Sequence, residues 1–112
     1  MRSRYRKISV LGHRFLWTLR GNTLFGRPTR HIVVRSPERA GHLLVDPYPW
    51  ELEIRPATVA HAIEFALSHG WDPNRRGPPM TLGYRQEAFL VLPRGVRFTH
   101  ELPESRFTSR WR

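Results

Sequence analysis

Residues 55–71 read RPATVAHAIEFALSHGW and form the one stretch of this chain with a clear start, period and stop. Pro56 suits the first turn of an α-helix, where its missing N–H would have no partner, and Gly70 can adopt the left-handed conformation that ends a helix. Trp71 should then fold back over the last turn. At 100° per residue one arc of the helix is apolar and suited to packing on a core. This arc holds Val59, Ala62, Ile63, Ala66 and Leu67.

The sequence predicts strands on both sides of this helix. Residues 5–10 and 14–20 alternate apolar and polar side chains around a short turn at residues 11–13, as a β-hairpin does. The glycines and the proline of residues 21–28 predict a connecting loop. A crossover from strand to helix to parallel strand is possible around the helix. Further strands are predicted at residues 30–35, 42–46, 50–54, 80–84 and 88–92.

These elements predict an α+β fold, an antiparallel-rich sheet of five to seven strands with one helix packed on one face. We expect residues 1–92 to form a single domain. Residues 93–112 combine prolines with five arginines and lack a sustained period. They are therefore predicted to form a basic C-terminal arm.

Composition narrows the class of protein. A length of 112 residues suits one domain with a modest core. The chain has no cysteine, which excludes disulfides and zinc sites built on thiolates. No segment has the length and apolar composition of a membrane span or the pattern of a signal peptide, so we expect a soluble, cytoplasmic protein.

The formal net charge is +10, and the only lysine among the 19 basic residues is Lys7. The other basic residues are arginines, whose planar guanidinium suits phosphate, although the codon usage of a GC-rich genome also favours arginine. The charge is uneven, since residues 1–40 carry +9, residues 41–74 carry −4 and residues 75–112 carry +5. The basic ends predict a partner with an acidic protein surface, or nucleic acid.

The spacing P-x-x-V-x-x-x-I-x-x-A-L-x-x-G-W-x-P runs from Pro56 to Pro73. It resembles a signature of short uncharacterised bacterial proteins. The resemblance covers about 18 residues and implies a shared fold element. It assigns no activity and carries no functional residue to this chain.

Strand alternation sends the apolar side chains, Leu19 among them, toward the helix and the basic ones to the opposite side. Tyr5 and several aliphatic residues would lie among the basic ones, a mixture found where sheets bind single-stranded nucleic acid. A solvated charged face, or one docked on an acidic protein, is the alternative. With two arginines of the arm, the predicted partner or phosphate contacts are Lys7, Arg14, Arg20, His31, Arg35, His42, Arg106 and Arg110.

A second possible partner surface lies on the helix. His61 and His69 flank Phe65 at a spacing of four residues, on the side away from the main apolar arc. An outward phenylalanine between two histidines can mark a partner surface. The alternative is that aromatic residues of the arm cover Phe65.

The sequence gives little evidence for a metal site or a catalytic site. The six histidines form no His-x-His or His-Glu-x-x-His motif, so no metal or other cofactor is expected. A nuclease that uses Asp46 with His42 is conceivable, but no recognisable nucleophile or phosphate loop accompanies them. We therefore expect a small non-catalytic binding protein, an accessory subunit of a bacterial assembly that acts through its basic sheet face and arm. Direct binding of RNA or single-stranded DNA is the main alternative.

Overall fold

The structure is a computed structural model, and it describes residues 5–24, 27–38, 40–46 and 54–102. These residues form six strands, one α-helix and one short 3-10 helix. The strands are Arg6–Val10 (β1), His13–Leu24 (β2), Arg27–Arg35 (β3), His42–Val45 (β4), Met80–Arg85 (β5) and Ala88–Val91 (β6), and the helices are Pro56–Ser68 (α1) and Thr99–Glu101 (3-10).

The six strands form one sheet in the order β1-β2-β3-β4-β5-β6. Every neighbouring pair is antiparallel except β4 and β5, which run parallel. Parallel neighbours need a crossover connection, and α1 lies in the segment that joins β4 to β5. The prediction of an α+β fold with an antiparallel-rich sheet and one helix is confirmed for the described residues. The predicted strand at residues 50–54 lies almost wholly outside them.

The ends of α1 follow from the residues that suggested it. Pro56 occupies the first turn, and the backbone N–H of Val59 donates to the carbonyl of Arg55 over 3.0 Å. Gly70 takes a φ of +99°, and the N–H of Trp71 reaches back to the carbonyl of Ala66 over 2.9 Å. This six-to-one bond with a left-handed glycine is the Schellman motif that ends helices. Pro56 and Gly70 thus lie at the start and at the end of the helix.

The core lies between α1 and one face of the sheet. Val59, Ala62, Ile63 and Ala66 of the helix are fully buried there against strand residues. Trp71 is 7% exposed, and its ring lies 5.7 Å from that of Phe15. The buried strand residues of this cluster are Val10, Phe15, Trp17, Ile32, Val34, Leu43, Val45 and Leu82.

One sequence prediction about the strands is wrong. The predicted loop at residues 21–28 is replaced by a longer hairpin, because the β2–β3 ladder continues to the pair Leu24 and Arg27. Glycines and a proline weaken a strand locally, but each further backbone pair of the ladder offsets that cost. Leu19 pairs with the buried Ile32 and so lies on the helix side of the sheet, as the alternation predicts, although it is 38% exposed.

The described part of the predicted arm, residues 93–102, lies against the sheet. The N–H of Thr99 donates to Oδ2 of Asp46 over 2.6 Å, and Oγ1 of Thr99 accepts from the N–H of Tyr84 over 3.1 Å. Gly83 is required beneath this contact, since a Cβ there would lie 2.5 Å from that Oγ1. Thr99 and Leu102 are both buried. Residues 103–112 lie outside the described residues, and the boundary at residue 92 stays a prediction.

With 13 residues, α1 is the longest helix among the described residues, and it falls short of the roughly 20 that cross a bilayer.

Candidate anion-binding face

The side of the sheet opposite α1, here called the outer face, carries most of the basic residues of β1 to β4 whose side chains the structure describes. Side chains alternate along each strand, so the pairing register identifies which residues share this side. Lys7 pairs with Leu16, Leu16 with Arg35, and Arg35 with His42. These four residues form a row across β1, β2, β3 and β4. At about 4.8 Å between strands, the row spans roughly 14 Å.

The structure brings together most of the basic residues predicted for this face. Lys7, Arg14 and Arg20 are exposed on it, and His31 and His42 are half-buried. Arg20 pairs with His31 across β2 and β3, so the cations continue beyond the row. The two arm residues that complete the prediction, Arg106 and Arg110, lie outside the described residues.

Arg35 lies on the predicted face, but the expectation that it faces solvent is wrong, because it is only 7% exposed. Its guanidinium carbon lies 4.3 Å from the centre of the Tyr5 ring, and one guanidinium nitrogen donates to the carbonyl of Ser36 over 3.3 Å. A long arginine side chain can bury its methylene groups while a ring and a carbonyl satisfy its charged end. Arg35 is therefore a positioning residue for Tyr5.

Tyr5 stands between two arginines of the outer face. Its partial burial alone would raise the pKa of the hydroxyl, but hydrogen bonds and positive charge from Arg20 and Arg35 outweigh burial and lower that pKa below its ordinary value of 10.0. The cations favour the ionised hydroxyl because they are of opposite charge to it. The shift indicates a positive potential on this part of the outer face.

Aromatic rings adjoin the basic residues at one border of the outer face. The ring of Phe98 lies 4.8 Å from that of His31 and 5.4 Å from that of His100. Nε2 of His31 lies 3.3 Å from the carbonyl oxygen of Arg97, which fixes the segment in place. The sequence places Phe98 in a separate arm, so its position beside His31 could not be predicted from local spacing.

On α1, the surface around Phe65 differs from the one that the sequence predicts. Phe65 is half-buried, and its ring contacts Phe89 of β6 at 5.9 Å as well as His69 at 3.9 Å. Phe65 therefore packs toward the edge of the sheet. The prediction that it points outward between the two histidines is wrong. His61 and His69 are exposed.

Asp46, the carboxylate considered above for a nuclease site, is buried and holds the backbone of another segment. Asp46 is 3% exposed and accepts the hydrogen bond from the backbone of Thr99. His42 begins β4 and Asp46 follows the end of this strand, about 13 Å away at 3.3 Å per residue, so the two side chains do not converge. In the part of the chain that the structure describes, no group of three His, Asp or Glu side chains is placed to hold a metal ion.

The outer face continues into an open cleft that the sequence did not predict. His42 and Thr81, at the beginnings of β4 and β5, contribute to its floor. Its walls are the loop at residues 70–79 after α1 and the loop at residues 92–97 after β6. Among the described residues, four arginines line it, namely Arg75, Arg76, Arg94 and Arg97. They come in two pairs, one in the loop before β5 and one in the loop after β6, and the antiparallel pairing of these strands brings the two loops together.

Comparisons of the chain with protein-family models, with curated proteins and with solved structures find no match.

Proposed function

We propose that this protein is a non-catalytic binding protein, an accessory subunit of a bacterial assembly, that contacts an anionic partner through its outer face. The observation that carries the proposal is the row that ends in Lys7 and His42, with Arg14 and Arg20 exposed beside it. None of the described strand residues on this face is acidic. A surface with one sign of charge attracts a partner of the opposite sign and speeds their encounter.

The fold supports a surface of fixed shape. Strands hold their side chains at set spacings, and the outer face belongs to a six-stranded sheet whose other side is covered by the core. Arg35 and Tyr5 support each other within the face. Because the sheet fixes the backbone beneath these cations, the backbone loses little freedom when a partner binds, which favours affinity.

Two kinds of partner fit this face, an acidic protein and a nucleic acid. Exposed cations alone do not distinguish between an acidic protein and a nucleic acid, because both are anionic. The rings of Phe98 and His31 beside the cations add a specific argument for nucleic acid, since unpaired bases stack on aromatic side chains.

A charge-reversal comparison tests the proposal. Lys7→Glu with Arg14→Glu removes two exposed cations from the outer face, while Arg6→Glu with Arg55→Glu makes the same change in net charge at exposed positions elsewhere. Binding to polyglutamate and to a labelled oligonucleotide is measured at low salt for both variants. We expect the outer-face variant to bind at least one polyanion about tenfold more weakly than the control variant, because about two charge contacts are lost.

The folded state should be unaffected by the outer-face change. Exposed charges contribute little to folding, so the free energy of unfolding should change by no more than about 0.5 kcal/mol. Equal weakening in the two variants would show that only net charge matters, and the outer face would then not be the contact surface.

A further inference from the structure

The cleft beside the outer face is a second basic feature and has a concave form. Its volume is about 970 Å³, near the upper end of the range for pockets that hold small ligands. The floor is formed by the first residues of two parallel strands, among them His42 and Met80. A cleft with walls of one charge focuses the electric field between them.

The first wall of the cleft is fixed by backbone contacts. The N–H of Gly41 donates to the carbonyl of Pro73 over 2.9 Å, and Oγ of Ser36 donates to the same carbonyl over 3.2 Å. A Cβ at Gly41 would lie 2.6 Å from the carbonyl oxygen of Asp72, so only glycine allows this close approach. The loop that carries Arg75 and Arg76 is therefore held against the start of β4.

The second wall is fixed at both ends. The N–H of Leu92 donates to the carbonyl of Thr81 over 2.8 Å, and the N–H of Val96 donates to that of Pro93 over 3.0 Å. Oε1 of Glu101 accepts the N–H of Arg97 over 2.8 Å. This wall presents Arg94 and Arg97 from a short, ordered turn.

The four arginines of the cleft are available for a ligand. Arg75, Arg76, Arg94 and Arg97 are exposed, and within the described residues none of them forms an ion pair. Asp72 is the one acidic side chain among the lining residues, and its Oδ1 accepts a hydrogen bond from the N–H of Asn74 over 2.9 Å. Several unpaired guanidinium groups in one concavity repel one another, and an anion with closely spaced charges relieves that repulsion.

We propose that this cleft binds the phosphate backbone of a single-stranded nucleic acid. The inference rests on the proposed function, because His42 belongs both to the cleft floor and to the row on the outer face. Guanidinium groups bind phosphate oxygens through paired hydrogen bonds, and a strand supplies one charge for every nucleotide.

The surroundings of Arg97 favour an unpaired strand over an acidic protein. Its carbonyl contacts His31, and the next residue, Phe98, lies ring to ring with that histidine. A base of a strand bound in the cleft can stack on these rings, whereas the carboxylates of an acidic protein cannot. Stacking requires bases that are free of pairing, which a duplex does not offer.

The experiment measures binding of a fluorescent oligonucleotide of about 12 nucleotides as a function of salt. Arg76→Gln with Arg94→Gln removes one cation from each wall, and Arg6→Gln with Arg55→Gln removes two exposed cations elsewhere as the matched control. Polyglutamate of equal charge and a duplex of the same sequence serve as alternative ligands. Thermal melts establish that each variant is folded.

With four phosphate contacts, the slope of log affinity against log salt for the natural chain should be about −3, and the cleft variant should show about half of it. Its affinity at 50 mM salt should fall at least about tenfold, while the control variant changes less than about threefold. Equal effects of the two variants would overturn the inference, as would polyglutamate or duplex binding as tight as that of the single strand. If only the Lys7→Glu and Arg14→Glu change weakens binding, the proposed function stands and the cleft inference fails.

Discussion

Replacing Trp71 by alanine tests whether the helix and its closing tryptophan anchor the fold. Trp71 is 7% exposed and packs against Phe15. A buried tryptophan removes about 150–250 Å² from water, which corresponds to an upper estimate of about 4–6 kcal/mol. Its Nε1 is buried without a hydrogen-bond partner within the described residues. Truncation relieves that cost of about 1–3 kcal/mol, so we expect a net loss of about 3 kcal/mol.

Equilibrium unfolding in denaturant, followed by circular dichroism, measures this loss. A domain of this size has a total stability of roughly 5–15 kcal/mol, so the transition midpoint should shift clearly. Trp71→Phe is the control, since it keeps a ring against Phe15 and removes the unpaired N–H. It should cost no more than about 1.5 kcal/mol. A loss within about 0.5 kcal/mol for alanine would refute the reasoning, because it is typical of surface positions.

Three further changes test the contacts of the outer face. Gly83→Ala should lower the free energy of unfolding by about 1–3 kcal/mol in denaturant melts, because the new Cβ meets Oγ1 of Thr99, and a second change, Thr99→Ala, should restore part of it. Arg20→Gln should raise the pKa of Tyr5 in an ultraviolet titration. Because that pKa is lowered in the folded state, the free energy of unfolding of the natural chain increases as the pH rises toward 10.0. The Arg20→Gln variant should show a smaller increase. Ending the chain after Leu92 should lower the melting temperature, since the hydrogen bonds of Thr99 to the sheet are lost; an unchanged melting temperature would contradict their role.

The helix and the alternation of the strands could be predicted because both depend on local spacing. Pro56 and Gly70 mark the ends of α1 through their own backbone preferences, which are independent of the rest of the chain. Likewise, a period of two residues places Lys7 and Arg14 on the same side of the sheet as soon as their strands are paired. The coarse fold and most of the described basic face follow from such signals.

The features that could not be predicted depend on contacts between distant residues. Arg35 of β3 is buried beside the ring of Tyr5, which precedes β1 on the far side of β2, and no pattern in the sequence around residue 35 predicts this contact. The β2–β3 ladder extends to residues 21–24 and 27–28 because backbone pairing outweighs the preference of glycine for loops. The cleft forms only when the β5–β6 pairing brings residues 75–76 beside residues 94–97 and the crossover places the start of β4 beside β5.

The central claim is that an anionic partner binds on the outer face and in the adjoining cleft. Backbone amide NMR signals recorded during titration with a single-stranded oligonucleotide test it most directly. The account predicts shifts at Arg14, His42 and the loops at residues 70–79 and 92–97, with the exposed side of α1 unchanged. Shifts confined to α1 around His61, with the outer face and cleft unchanged, would contradict it.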